Sequence, residues 1–262
     1  MTSGEDLFLN LYDDLGAKIS TKGPDDIGLE FLVNGPAFEN FSRISASFEV
    51  FVRCLRNGVE TYRLTPGARP EEYVRNLRFE VELPNRLFQN LKFGQRLMLA
   101  SRVAAEGIRN SQIERDATKD LPPICYLCGD GLRNKKGIGL KPTIEHVWPL
   151  SFGGETVGAN LLLACGDCNS KRGNIATWAM GPVHSTQYVQ SSKDEKNPPQ
   201  TLKFSLGLAR ILFAAQPVGK RREPKTLRDA SLDVCPAIPK LSLTKDRMYT
   251  YFELTEILEV TL

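Results

Sequence analysis

Histidine is nearly absent from this chain, with two in 262 residues, His146 and His184. Any imidazole chemistry therefore has only two candidates. Tryptophan is as scarce, at two residues, and methionine stands at four. A strong charge bias is lacking too. The 34 Lys and Arg face 31 Asp and Glu, a net charge of +3, which neither demands a polyanionic partner nor bars one. No run of 18 apolar residues occurs, which argues against a membrane-spanning helix. The opening MTSGEDLFLNLYDDLG has no basic start followed by an apolar run. No secretory signal reads there, and a cytoplasmic, reducing compartment is the expectation. At 41% hydrophobic and 25% charged, the composition excludes collagen-like, purely coiled-coil and wholly disordered classes.

What charge there is lies unevenly. Residues 1–50 hold nine acidic and three basic residues, a net −6, so the remainder carries +9. The acidic end should be repelled by phosphate and the remainder attracted to it.

Two early segments alternate with period two. Ile44, Ala46, Phe48, Val50, Val52 and Cys54 share one face of a strand. In LRFEVEL, Leu77, Phe79, Val81 and Leu83 oppose Arg78, Glu80 and Glu82. Gly58, Pro66, Gly67 and Pro70 supply turns between them. The first 85 residues or so therefore read as a mostly antiparallel β unit. From Asn85 the period becomes helical, through Leu87, Leu91, Met98, Ala105 and Ile108, and Gly94 marks a place where two helices could meet. Later, SSKDEKNPPQ (191–200) reads as a linker or surface loop, and TLKFSLGLARILFAAQ (201–216) as a buried helix. The last stretch, YTYFELTEILEVTL, fits strand and helix alike.

The six cysteines carry the sharpest signal. Cys125 and Cys128 form one C-x-x-C pair and Cys165 and Cys168 another, with 36 residues between the pairs. In a reducing compartment two such pairs fit a tetrahedral zinc site, each pair on a tight turn. Four thiolates saturate the ion, so this zinc would be structural. Cys54 falls on an apolar face and reads as core, and Cys235 has no ligand spacing.

Chemistry then belongs in the insert, TIEHVWPLSFGGETVGANLLLAC. Thr143–His146 suits a short strand, Pro149, Gly153, Gly154 and Gly158 make an irregular loop, and LLLAC suits a second strand. The following NSKRGN suits a helix start. Strand, loop, strand and helix joined by zinc would bring Glu145, His146 and Asn169 together. Hydrolysis of a phosphodiester needs a base that works near neutral pH, which imidazole supplies, and a cation at the leaving oxygen. Carboxylate and amide oxygens suit Mg²⁺ or Mn²⁺.

In this order, C-x-x-C, E-H, P-L-S-x-G-G, N-L-L-L-A-C and C-N-x-K resemble the HNH endonucleases whose ββα-metal core is fastened by four cysteines. The resemblance covers about fifty residues. It implies His146 as the general base, Glu145 and Asn169 as ligands of the catalytic cation, and Asn160 as the residue that ties down the loop. Aspartate is the more usual residue where Glu145 stands.

The expected fold is α+β. A small ββα-metal HNH core with a four-cysteine zinc site (119–180) lies between an N-terminal β-rich unit plus helix (1–118) and a C-terminal mixed unit (181–262). The expected function is a metal-dependent endonuclease with structural Zn²⁺ and catalytic Mg²⁺ or Mn²⁺, acting on nucleic acid, DNA first. No membrane is involved, and the flanking units leave room for a protein partner. Two alternatives stay open: a non-catalytic zinc-ribbon module that binds nucleic acid, and a nuclease subunit of a bacterial defence complex. Lys171 and Arg172 fit phosphate contacts or a solvated surface equally well. The run Lys220, Arg221, Arg222, Lys225 and Arg228 reads as a solvated loop or an extension of the phosphate-binding face. Trp148 and Trp178 read as core, and His184 as a surface or packing residue.

Overall fold

A computed structural model describes residues 1–16, 36–132, 140–173, 188–189, 200–215, 225–234 and 248–249. Mixed helices and a small two-stranded sheet make the class α+β. Packing divides the chain into two units. The first comprises Met1–Arg115 and His146–Asn160, and the second Asp116–Glu145 and Leu161–Leu262.

The first unit corrects the sequence reading: where a β unit was expected, the described residues are helical. Its helices are α1 (Ser3–Gly16), α2 (Pro36–Leu64), α3 (Pro70–Leu77), α4 (Asn85–Phe88) and α5 (Leu91–Glu106), followed by α6 (Ser111–Thr118), which begins in the first unit and ends in the second. The segment expected as strand 44–54 lies inside α2. From Ile44 onward α2 buries Ile44, Ser47, Phe48, Phe51, Cys54, Leu55, Gly58 and Thr61, which recur at three and four. The same stretch satisfies both periods, and the long continuation of the helical one decides the outcome. Cys54 is core as expected, and burial pushes its thiol up to about 12.

The second expected strand, 77–83, fails for a local reason. Pro70 opens α3 and the Glu72 carboxylate accepts the Arg69 N–H at 2.8 Å. This start signal carries the helix to Leu77. Val81 and Leu83 still turn inward, but Phe79 is 87% exposed. The helix break expected at Gly94 comes earlier. Asn90 caps α5, accepting from Lys92 N at 3.0 Å and Phe93 N at 3.3 Å. Gly94 sits inside α5 where a Cβ would come within 2.8 Å of the Pro70 carbonyl, so its role is close helix packing.

Helices α1, α2 and α5 pack on one another, and Asp6 of α1 meets Arg96 of α5 at 2.6 Å. Their core receives the 146–160 loop. Trp148 is fully buried, its ring 5.5 Å from Phe51 and 5.8 Å from Phe8, centroid to centroid. Phe152 packs on Phe48 at 5.5 Å. Trp148 is thus a core residue, as expected.

The second unit holds strands β1 (Pro142–His146, its last residue counted with the first unit) and β2 (Leu161–Cys165), which pair, and helix α7 (Gly166–Arg172). All three follow the sequence expectation. The helix Gln200–Ala215, also expected, lies close to the first cysteine turn. A Cβ on Gly207 would come within 1.7 Å of the Leu127 carbonyl, and Lys203 Nζ meets Asp130 Oδ1 at 2.7 Å. A second strand pair, antiparallel, matches Tyr188 with Tyr249 and Val189 with Met248. No helix among the described residues is long and apolar enough to cross a membrane.

Candidate active site

The cysteine turns are built by backbone hydrogen bonds. Gly129 N donates to the Cys125 carbonyl at 2.9 Å, with Gly129 at φ +74°, and Tyr126 N donates to Leu163 O of β2 at 3.0 Å. Cys165 is both the end of β2 and the cap of α7, where its sulfur accepts from Cys168 N at 3.4 Å. The result gathers four buried thiols, with Sγ atoms of Cys125, Cys128, Cys165 and Cys168 all within 4.8 Å of one another. Cys128 and Cys165 lie 3.9 Å apart, sulfur to sulfur. A tetrahedron with Zn–S bonds near 2.3 Å has edges of about 3.8 Å, so the four donors fit zinc. Hydrogen bonds among the thiols lower the Cys125 thiol and raise that of Cys168, so the cluster shares its protons.

Above this clamp, β1 presents alternate residues to opposite sides. Thr143 and Glu145 share the side covered by α7. Asn169 Nδ2 donates to Thr143 Oγ1 at 3.1 Å, and Thr143 Oγ1 donates to the Ala164 carbonyl at 3.0 Å. One helical turn on, Arg172 Nη1 pairs with Glu145 Oε1. The ion pair is buried, with side chains 1% and 4% exposed. Arg172 therefore faces inward onto Glu145, whereas Lys171 is exposed on α7. Burial raises the Glu145 carboxyl and the Arg172 guanidinium opposes that rise. Glu145 Oε2 is buried without a hydrogen-bond partner among the described residues. A hard cation is the kind of ligand such an oxygen takes, and the Asn169 amide lies over the same strand face.

Removing one partner from this pair strands the other. Arg172→Met should lower the stability of the zinc-loaded protein by about 3–5 kcal/mol, as for other broken buried pairs. Glu145→Gln in the same chain should restore part of the loss. Denaturant unfolding of the two variants measures both effects.

In the first unit, the Asn160 side chain bonds across the 146–160 loop. Its Oδ1 accepts from Trp148 N at 2.7 Å, and its Nδ2 donates to the carbonyls of Trp148 at 2.9 Å and Glu155 at 3.0 Å. The glycine pair has distinct tasks. Gly153 adopts φ +80°, and a Cβ on Gly154 would come within 1.9 Å of the Trp148 carbonyl. His146 follows Glu145 on β1 and so points to the opposite side: it is 8% exposed and its Nε2 lies 2.9 Å from Thr156 Oγ1, whereas Glu145 and Asn169 bond Arg172 and Thr143. Thr156 Oγ1 donates in turn to the Ile108 carbonyl at 2.9 Å.

Three participants escaped the sequence reading. Arg172 as partner of Glu145 was signalled by its spacing of three from Asn169, but only the placement of β1 names the partner. Thr156 carried no motif signal, and Ile108 acts through its backbone. His184, Trp178, Cys235, Lys220, Arg221 and Arg222 lie outside the described residues. Within the remainder of that basic run, Lys225 pairs with Asp233.

Residues 116–174 match the family model of the HNH endonucleases. The matched segment contains the four cysteines that cluster as a candidate metal site. No curated protein and no solved structure matches the chain.

Proposed function

We propose that the chain is a metal-dependent endonuclease that hydrolyses phosphodiester bonds of nucleic acid, DNA first, with 119–180 as its nuclease core. The observation that carries this reading is the shared face of β1 and α7, where Arg172 and Asn169, on the helix that also carries Cys168 of the four-thiol cluster, meet Glu145 and Thr143. A module that only binds nucleic acid has no need of a buried carboxylate with an unpartnered oxygen.

Glu145 and Asn169 would hold the catalytic Mg²⁺ or Mn²⁺, which supplies charge stabilisation at the phosphate and the leaving oxygen. His146 takes a proton from water as the water oxygen bonds to phosphorus, and the bond from phosphorus to the leaving oxygen breaks. Arg172 opposes the rise that burial imposes on the Glu145 carboxyl and leaves Oε2 to the cation. Asn160 holds the loop that follows His146. Lys171, exposed at the end of α7, is placed to meet a phosphate, a role the buried Arg172 does not share. Zinc on Cys125, Cys128, Cys165 and Cys168 is structural, because four thiolates leave no open position.

The test is incubation of the purified chain with supercoiled plasmid and with single-stranded RNA, in Mg²⁺ or Mn²⁺. Nicked or linear plasmid that disappears with EDTA supports the reading. Binding of either polymer without cleavage in any divalent cation favours the zinc-ribbon binding module.

A further inference from the structure

We propose that Arg109, in the N-terminal helical unit, is a substrate-binding residue that grips a backbone phosphate of DNA beside the phosphodiester bond at His146. The inference deepens the nuclease reading and rests on it for the identity of the polymer. Arg109 lies ahead of the matched segment 116–174, so no part of the family motif assigns it a role.

Its place follows from the side of β1 to which His146 points. His146 Nε2 lies 2.9 Å from Thr156 Oγ1, and Thr156 Oγ1 lies 2.9 Å from the Ile108 carbonyl. Arg109 is the next residue, so its backbone begins two hydrogen bonds and one peptide link from the imidazole. Ile108 and Val157 flank the Thr156 bond and are 64% and 39% exposed. The surface beside the histidine thus presents aliphatic groups suited to sugar edges and a cation suited to phosphate.

The arginine is oriented before any ligand arrives. Its Nε donates to Glu114 Oε1 at 2.8 Å. Glu114 stands in the first turn of α6, its side chain 11% exposed. Asn110 fixes that turn, its Oδ1 accepting from Gln112 N at 3.0 Å and Ile113 N at 3.1 Å, and its carbonyl accepting from Glu114 N at 2.9 Å. The Arg109 side chain itself is 59% exposed. A guanidinium is a planar fork of five donors, and a bond through Nε leaves both Nη groups. No other partner of this guanidinium lies among the described residues. Two parallel Nη donors match two phosphate oxygens, and the anchor on Glu114 reduces the ordering cost of that contact. An exposed ion pair adds little to a fold. What this pair supplies is an aimed cation next to the histidine.

The test measures binding of short fluorescein-labelled DNA duplexes of two unrelated sequences to the full-length, zinc-loaded chain, without Mg²⁺ or Mn²⁺, between about 50 and 200 mM salt. Arg109→Gln removes the charge and keeps a donor for Glu114. Its slope of log K against log salt should be shallower than the parent's by about 0.9, the share of one phosphate contact, and equally so for both sequences. Arg109→Lys should restore the slope. Arg53→Gln is the control. Arg53 is also an exposed, paired arginine of this unit, 3.0 Å from Glu49 on α2, and its variant should keep the parent slope. In the parent, duplex should protect Arg109 from phenylglyoxal and leave Arg53 reactive, as read by mass spectrometry, and this measurement needs no variant to fold. An unchanged slope in Arg109→Gln, an equal fall in Arg53→Gln, a parent that binds neither duplex, or an Arg109 left unprotected overturns the site. Arg109-dependent binding by a chain that cleaves nothing overturns the nuclease reading and keeps the site. Cleavage by a chain whose slope ignores Arg109 does the reverse.

Discussion

His146→Ala should cleave plasmid about 10²- to 10⁴-fold more slowly than the parent, the usual worth of a positioned general base. Its fold and zinc content should be unchanged, because the imidazole's Thr156 contact lies in the first unit and the thiol clamp in the second. Glu145→Ala and Asn169→Ala should also lose activity, by a different route. Each removes an oxygen donor for the cation, so raising Mn²⁺ should recover part of the rate. No concentration of Mn²⁺ should rescue His146→Ala, which lacks a proton acceptor rather than a ligand. Glu145→Ala carries a second cost, since it leaves Arg172 buried without its carboxylate. Glu145→Gln also removes the charge but keeps a hydrogen-bond acceptor for Arg172, so its structural cost should be smaller. Initial rates against Mn²⁺ concentration separate the two classes.

The second large effect concerns zinc. Metal analysis of the reduced, purified chain should return about one zinc per molecule. Cys125→Ser or Cys168→Ser should unfold the HNH segment rather than merely loosen it. The two-stranded sheet and the seven-residue α7 have little core of their own, and zinc binding in small peptides contributes roughly 10–16 kcal/mol. Chelation of the parent should do the same. Loss of the Tyr126 environment beside the clamp, followed by near-ultraviolet circular dichroism, reports the unfolding. The first unit, Met1–Arg115 with His146–Asn160, has its own aromatic core in which Trp148 packs on Phe8 and Phe51, and its helices should keep their far-ultraviolet signal.

The two units differ in how far they could be read from residues. In the HNH segment the signals are local. Each C-x-x-C turn, the Gly153–Gly154 pair and the cysteine at the start of α7 impose their geometry within a few residues, so β1, β2 and α7 fall where expected. In α2 the signals conflict. Phe48, Val50 and Val52 alternate as in a strand, yet Phe48, Phe51 and Leu55 also recur as in a helix. The long continuation of the helical period, packed against α1 and α5, favours the latter. The site shows the same split. Asn160 ties its own loop and is visible from spacing. The Thr156 bond to Ile108 spans 48 residues and ends on a backbone carbonyl, and no side-chain pattern announces that. Arg172 reads as a surface cation because arginine usually is one, and only the buried carboxylate beside it reverses that.

The scarcity of histidine makes the central claim directly testable. Cleavage of supercoiled plasmid in Mn²⁺ can be compared between His146→Ala and His184→Ala, with zinc content matched. The account expects His184→Ala to nick the plasmid at the parent rate and His146→Ala to leave it supercoiled. A His146→Ala protein that cleaves normally while His184→Ala is inactive would contradict it.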